Sequence, residues 1–93
     1  MDYKKELTKC QREFETLTMA LNTAVSLNNF GAAKRIIEKQ RGTLLRWICC
    51  TNVLINNGVN NRSIYDLYKS TLEQAVKCVL QSVATEKALN RFL

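Results

Sequence analysis

Histidine and proline are both absent from this chain, and glycine occurs only three times. Without histidine, acid–base and zinc chemistry lose their commonest carrier. Gly31, Gly42 and Gly58 stand too far apart to build either phosphate loop, G-x-G-x-x-G or G-x-x-x-x-G-K-[ST]. Scarce Pro and Gly also exclude a collagen-like chain or a flexible linker, and a charged fraction of 24% is too ordinary for a disordered tail. No apolar run approaches the ~18 residues of a membrane span, and the opening MDYKKELTK lacks the apolar stretch of a signal peptide. The expectation is a cytoplasmic protein that is not an enzyme. It needs no cofactor or metal, takes no small-molecule substrate and does not associate with membranes.

What is present is helical pattern. At 93 residues and 46% hydrophobic, the chain has room for one core, so residues 1–93 form a single helical domain. Turn chemistry is confined to Asn28-Asn29-Phe30-Gly31 and to the stretch from Asn56 to Asn61, which contains Gly58. Asn and Gly tolerate the left-handed backbone that ends a helix. The three segments between and beyond predict helices over about 3–28, 31–56 and 62–91. Asp2 suits the cap of the first, Gly58 the stop of the second, and Ser63 with Asp66 an imperfect capping box for the third.

The first segment carries Tyr3, Leu7, Cys10, Phe14, Leu17, Leu21 and Ala24 at alternating four- and three-residue steps, a narrow continuous seam. The second repeats it with Ala33, Ile37, Gln40, Leu44, Trp47, Thr51 and Leu54. Two such seams joined by a short turn predict an antiparallel helical hairpin. In the third segment Ile64, Leu67, Tyr68, Leu72, Ala75, Val79, Val83 and Leu89 cover a wide arc, which suits two neighbours rather than one. The second is apolar nearly all round from Trp47 to Ile55. Together these excesses predict an all-α dimeric bundle, hairpin plus long third helix, with Trp47, Ile48, Ile55, Tyr68, Leu72 and Val79 at the homodimer interface. Trp47, Tyr65 and Tyr68 fall at core spacing and read as packing residues. Cys10, Cys49, Cys50 and Cys78 show no C-x-x-C spacing. They read as reduced small hydrophobes, the rival being an intermolecular disulfide through Cys49 or Cys50.

The net charge of +6 is not scattered. On a helical wheel Lys5, Lys9 and Arg12 fall within about 60° of each other, and Arg35, Lys39 and Arg46 within about 40°. Folding the hairpin aligns the two groups over about 28 Å at ~1.5 Å per residue. Glu6, Glu13, Glu15 and Glu38 dilute the pattern, so a plain solvated face competes with a nucleic-acid surface. A long basic helical face suits double-stranded RNA, whose deep narrow major groove hides the base edges and leaves phosphates and 2′-hydroxyls to be read by shape. On that reading Lys5, Lys9, Arg12, Arg35, Lys39 and Arg46 contact phosphates. The alternative is a helical protein–protein interaction module (an adaptor, chaperone or host-factor antagonist) that uses the apolar surface around Trp47–Ile55 and the third helix.

A small basic all-helical chain with a long hairpin, Asn28-Asn29 at its bend and Arg35, Lys39 and Arg46 outward on the second helix resembles the nodaviral B2 proteins. The likeness covers about the first 65 residues and lies in layout and charge placement. It implies a helical dimer that binds double-stranded RNA without sequence preference and suppresses RNA silencing in the host cytoplasm. The third helix, about Arg62 to Arg91, is longer than the family's short third element.

Overall fold

Each helix begins where an Asp or Asn side chain takes up free amides of the first turn. In the computed structural model, which describes residues 2–93, Asp2 Oδ1 accepts from the Lys4 and Lys5 amides at 3.1 and 3.2 Å and opens α1 (Tyr3–Ser26). Asn28 then enters the left-handed region at φ 56°. Its amide donates to the Val25 carbonyl at 3.0 Å and that of Asn29 to the Ala24 carbonyl at 2.8 Å, the paired bonds of a Schellman motif. Asn29 serves a second time, accepting from the Ala32 amide at 3.2 Å as the cap of α2 (Phe30–Asn56). Two adjacent asparagines thus reverse the chain, so α1 stops at Ser26 rather than 28 and α2 starts at Phe30 rather than 31.

Gly58, at φ 87°, follows the end of α2 and donates its amide to the Ile55 carbonyl at 3.2 Å. α3 (Arg62–Asn90) is capped by Asn61, whose Oδ1 accepts from the Ser63 and Ile64 amides at 2.9 and 3.4 Å. The Ser63–Asp66 capping box is therefore not formed. Ser63 already lies inside the helix, where its hydroxyl cannot reach the orphan amides.

The architecture is all-α, three helices with no strand among the described residues. α2 is central: α1 and α3 each pack along it, and no Cα of one outer helix comes within 8 Å of the other. The result is a rod of 48 × 20 × 18 Å. One core cluster joins Leu7 and Cys10, Leu44, Trp47 and Cys50, and Ala75, with Phe14 set edge-on to Trp47 at 6.1 Å between ring centroids. A second, nearer the first turn, joins Ala24, Ala33, Ile37 and Leu89. Polar seam residues are accommodated locally. Gln40 Nε2 donates to Thr18 Oγ1 at 3.0 Å, and the buried Thr51 hydroxyl donates to the Trp47 carbonyl at 2.8 Å.

Within the single chain, α3 packs against α2: its buried stripe is Ala75, Ser82 and Leu89 at seven-residue steps, which leaves Ile64, Leu67 and Val83 exposed. Among the six residues assigned to a dimer interface, Trp47 is only 4% exposed, and Ile48 and Val79 pack against the same core cluster. Those three side chains are spent inside the protein's own fold. Ile55, Tyr68 and Leu72 are half-buried.

Candidate nucleic-acid interface

The antiparallel register of α1 and α2 is set by side-chain pairs that cross between them, Thr18 with Gln40 and Glu13 with Arg46. That register gathers cations from two distant stretches of chain. An open groove of about 1270 Å³ runs between the two helices on a face to which α3 contributes nothing. Lys4, Lys5, Lys9 and Arg12 line it from α1, Lys39 and Arg46 from α2, against a single carboxylate, Glu13. The wheel positions of α1 explain most of this wall: Lys5, Lys9 and Arg12 project together on the flank opposite the Leu7–Ala24 seam.

Five of the six cations expected at the interface line this groove: Lys5, Lys9, Arg12, Lys39 and Arg46. Arg35 does not. It lies one turn beyond Lys39, exposed on α2, where the facing stretch of α1 from Thr16 onward carries no charge at all. Lys4 joins the groove unforeseen, since on the wheel it points away from Lys5 and Lys9.

Arg46, unlike the other five, is ion-paired. Its Nη2 lies 2.8 Å from Glu13 Oε2, its Nη1 4.0 Å from Glu6 Oε1, and Nη2 also donates to Thr43 Oγ1 at 3.3 Å. Arg46 thus neutralises carboxylates of α1 and straps the helices together. Lys4, Lys5, Lys9, Arg12 and Lys39 pair with no carboxylate among the described residues. Another cation that the charge pattern did not single out, Arg41, is engaged on the far flank of α2 by Glu86 of α3.

The remaining lining is Leu17, three threonines and a glycine. Thr8, Thr16 and Thr43 bring hydroxyls, and Gly42 brings no side chain. A glycine in a helix interior costs about 1 kcal/mol relative to alanine, yet a Cβ built at Gly42 would meet no atom of another helix within 4 Å. No aromatic side chain lines the groove. Phe14 and Trp47 are taken up by the core, and Phe30 stacks on Phe92 at 4.9 Å. The groove therefore offers charge and hydrogen bonds but no platform on which a base could stack.

Between α1 and α3 runs a second, uncharged groove of about 530 Å³, floored by Ile37 and Gln40 and bordered by the buried Ser82. All four cysteines are free thiols. Cys10 and Cys50 are buried, and burial pushes both thiols above the ordinary value of 9.0, with the nearby Glu6 acting in the same direction. Both are neutral and poorly nucleophilic; Cys49 alone is exposed. No helix among the described residues is long and apolar enough to cross a membrane.

Compared with family models, with curated proteins and with solved structures, the chain shows no match.

Proposed function

We propose that this protein binds double-stranded RNA through the groove between α1 and α2, without sequence preference. The observation that carries the reading is the convergence of Lys4, Lys5, Lys9, Arg12 and Lys39, all without carboxylate partners, on one open face. Such a face attracts a polyanion and gains free energy from released counterions. Two features favour a duplex of A-form. Without an aromatic platform the groove lacks what single-strand binders use. A rod 18 to 20 Å across is too broad to enter a B-DNA major groove, about 12 Å wide, as one helix does. It can instead lie across the wide shallow minor groove of A-form RNA and bridge the phosphates on its two sides, where duplex RNA is read by shape.

The resemblance to the nodaviral B2 proteins supports the same reading and extends it to a viral suppressor of RNA silencing in the host cytoplasm, which shields duplexes from processing enzymes. A homodimer belongs to this proposal. Its surface shifts from Trp47 to the apolar flank left uncovered on α2 and α3, where Leu45, Val76, Leu80 and Val83 are exposed. The same flank is what favours the second reading, a helical module that docks on another protein.

Binding of one duplex RNA, the matching duplex DNA and a single strand, measured at two salt concentrations, tests the proposal. The Lys9→Ala/Arg12→Ala variant, folded by circular dichroism, should lose affinity for duplex RNA about equally whatever its sequence. Unchanged affinity in that variant sinks the groove. Light scattering distinguishes a dimer from a monomer that offers its flank to a different chain.

A further inference from the structure

Gly42 serves no purpose within the fold. It lies midway along α2 in ordinary helical backbone, where glycine weakens a helix. A Cβ there would meet no atom of another helix within 4 Å, so neither tight packing nor a strained dihedral requires the gap. The other glycines differ: Gly31 sits in the first turn of α2, and Gly58 holds the left-handed turn after it. Gly42 instead lines the cationic groove between Lys39 and Arg46, with Arg12 and Thr16 on the opposite wall.

A helical side chain leans back over the preceding turn. Its absence at position 42 leaves bare the carbonyl of Glu38, which accepts the Gly42 amide in the helical ladder and keeps a second lone pair. The adjacent Lys39 carbonyl already accepts from the Thr43 hydroxyl at 3.2 Å. Resting on the proposed reading of this groove, we infer that Gly42 is where an RNA strand comes closest to the backbone of α2, and that a ribose 2′-hydroxyl donates to the Glu38 carbonyl there. Deoxyribose lacks that donor, so Gly42 is a specificity-determining position for RNA over DNA.

The Gly42→Ala variant moves stability and binding in opposite directions. Its melting temperature rises by roughly 4–8 °C, as expected when an exposed helix interior gains alanine in a domain of this size. Its affinity for duplex RNA falls about three- to tenfold, the worth of one hydrogen bond. Its affinity for duplex DNA of the same sequence changes less, and the RNA preference of the wild type shrinks. A lower melting temperature overturns the inference, because the glycine would then have a use inside the fold. So does unchanged RNA affinity, an equal loss on both duplexes, or a wild type that binds both alike. Lys9→Ala/Arg12→Ala measured alongside separates the two claims. If it weakens binding while Gly42→Ala does not, the groove stands and this inference fails; if neither does, both fail.

Discussion

Arg46 Nη2 of α2 lies 2.8 Å from Glu13 Oε2 of α1, within the groove whose other cations have no carboxylate partner. The pair is about half exposed to solvent, so its worth to the fold is within about 1 kcal/mol. Its effect on the groove is larger, because Arg46 masks the one carboxylate that lines it. Glu13→Gln should strengthen duplex RNA binding, and Arg46→Ala should weaken it. The double variant should return close to wild type. A double variant as weak as Arg46→Ala alone would make Arg46 a phosphate contact rather than a neutraliser.

Five cations without carboxylate partners set the expected salt response. With about 0.9 counterions released per phosphate neutralised, log affinity should fall against log salt with a slope of about −4 to −5 per groove. Replacing one of Lys5, Lys9 or Lys39 by alanine should flatten it by about one unit. Titrations over a threefold range of salt measure this directly. A slope that ignores all three substitutions assigns the binding to another face.

The thiols give a pH dependence whose sign follows from burial. Cys10 and Cys50 titrate above the ordinary 9.0 in the folded chain and near it when unfolded. The folded state therefore holds more protons once the pH passes that value. Their stabilising contribution is whole below about pH 9 and is lost as pH rises through the folded thiols' own range. Denaturant titrations at pH 8 and pH 9.5 should show a loss that Cys10→Ala/Cys50→Ala reduces. In the native protein an aromatic disulfide reagent should modify Cys49 quickly, and Cys10 and Cys50 only on unfolding. Fast modification of Cys10 would contradict its burial.

Core and turn substitutions should separate by mechanism. Leu44, fully buried among Leu7, Cys10 and Trp47, should cost about 2–5 kcal/mol as Leu44→Ala. Asn28→Gly should be neutral or slightly stabilising, since glycine tolerates φ 56°. Asn28→Val should be destabilising, because a β-branched residue is strained there. Equal melting temperatures for the last two variants would mean that the turn relaxes out of the left-handed region.

The hairpin was legible because the spacing of apolar residues on α2 marks one continuous face, and that face is buried. Ala33, Ile37, Gln40, Leu44, Trp47 and Thr51 are all buried as their spacing predicts, down to the polar Gln40, which finds Thr18. α3 was harder. Periodicity tells which face of a helix is apolar but not how many neighbours will cover it, so Val83 and Leu67 read as core and prove exposed. The cationic groove was legible as a direction on each helix, and the register of the hairpin turned those directions into one wall. The same wheel could not tell that Arg46 meets Glu13, because an ion pair depends on the reach of two flexible side chains across the gap. Nor could it give the position of Lys4, near the end of α1, where neighbours on both helices run out.

Because α1 and α3 each pack along α2 and no Cα of one comes within 8 Å of the other, the protein is bound like a book with a spine and two covers. The cationic groove is built from α1 and α2 alone, so a partner settling on the outer flank of α3 meets none of its lining. Amide exchange should accordingly be slowest along the spine and should rank the covers separately rather than together.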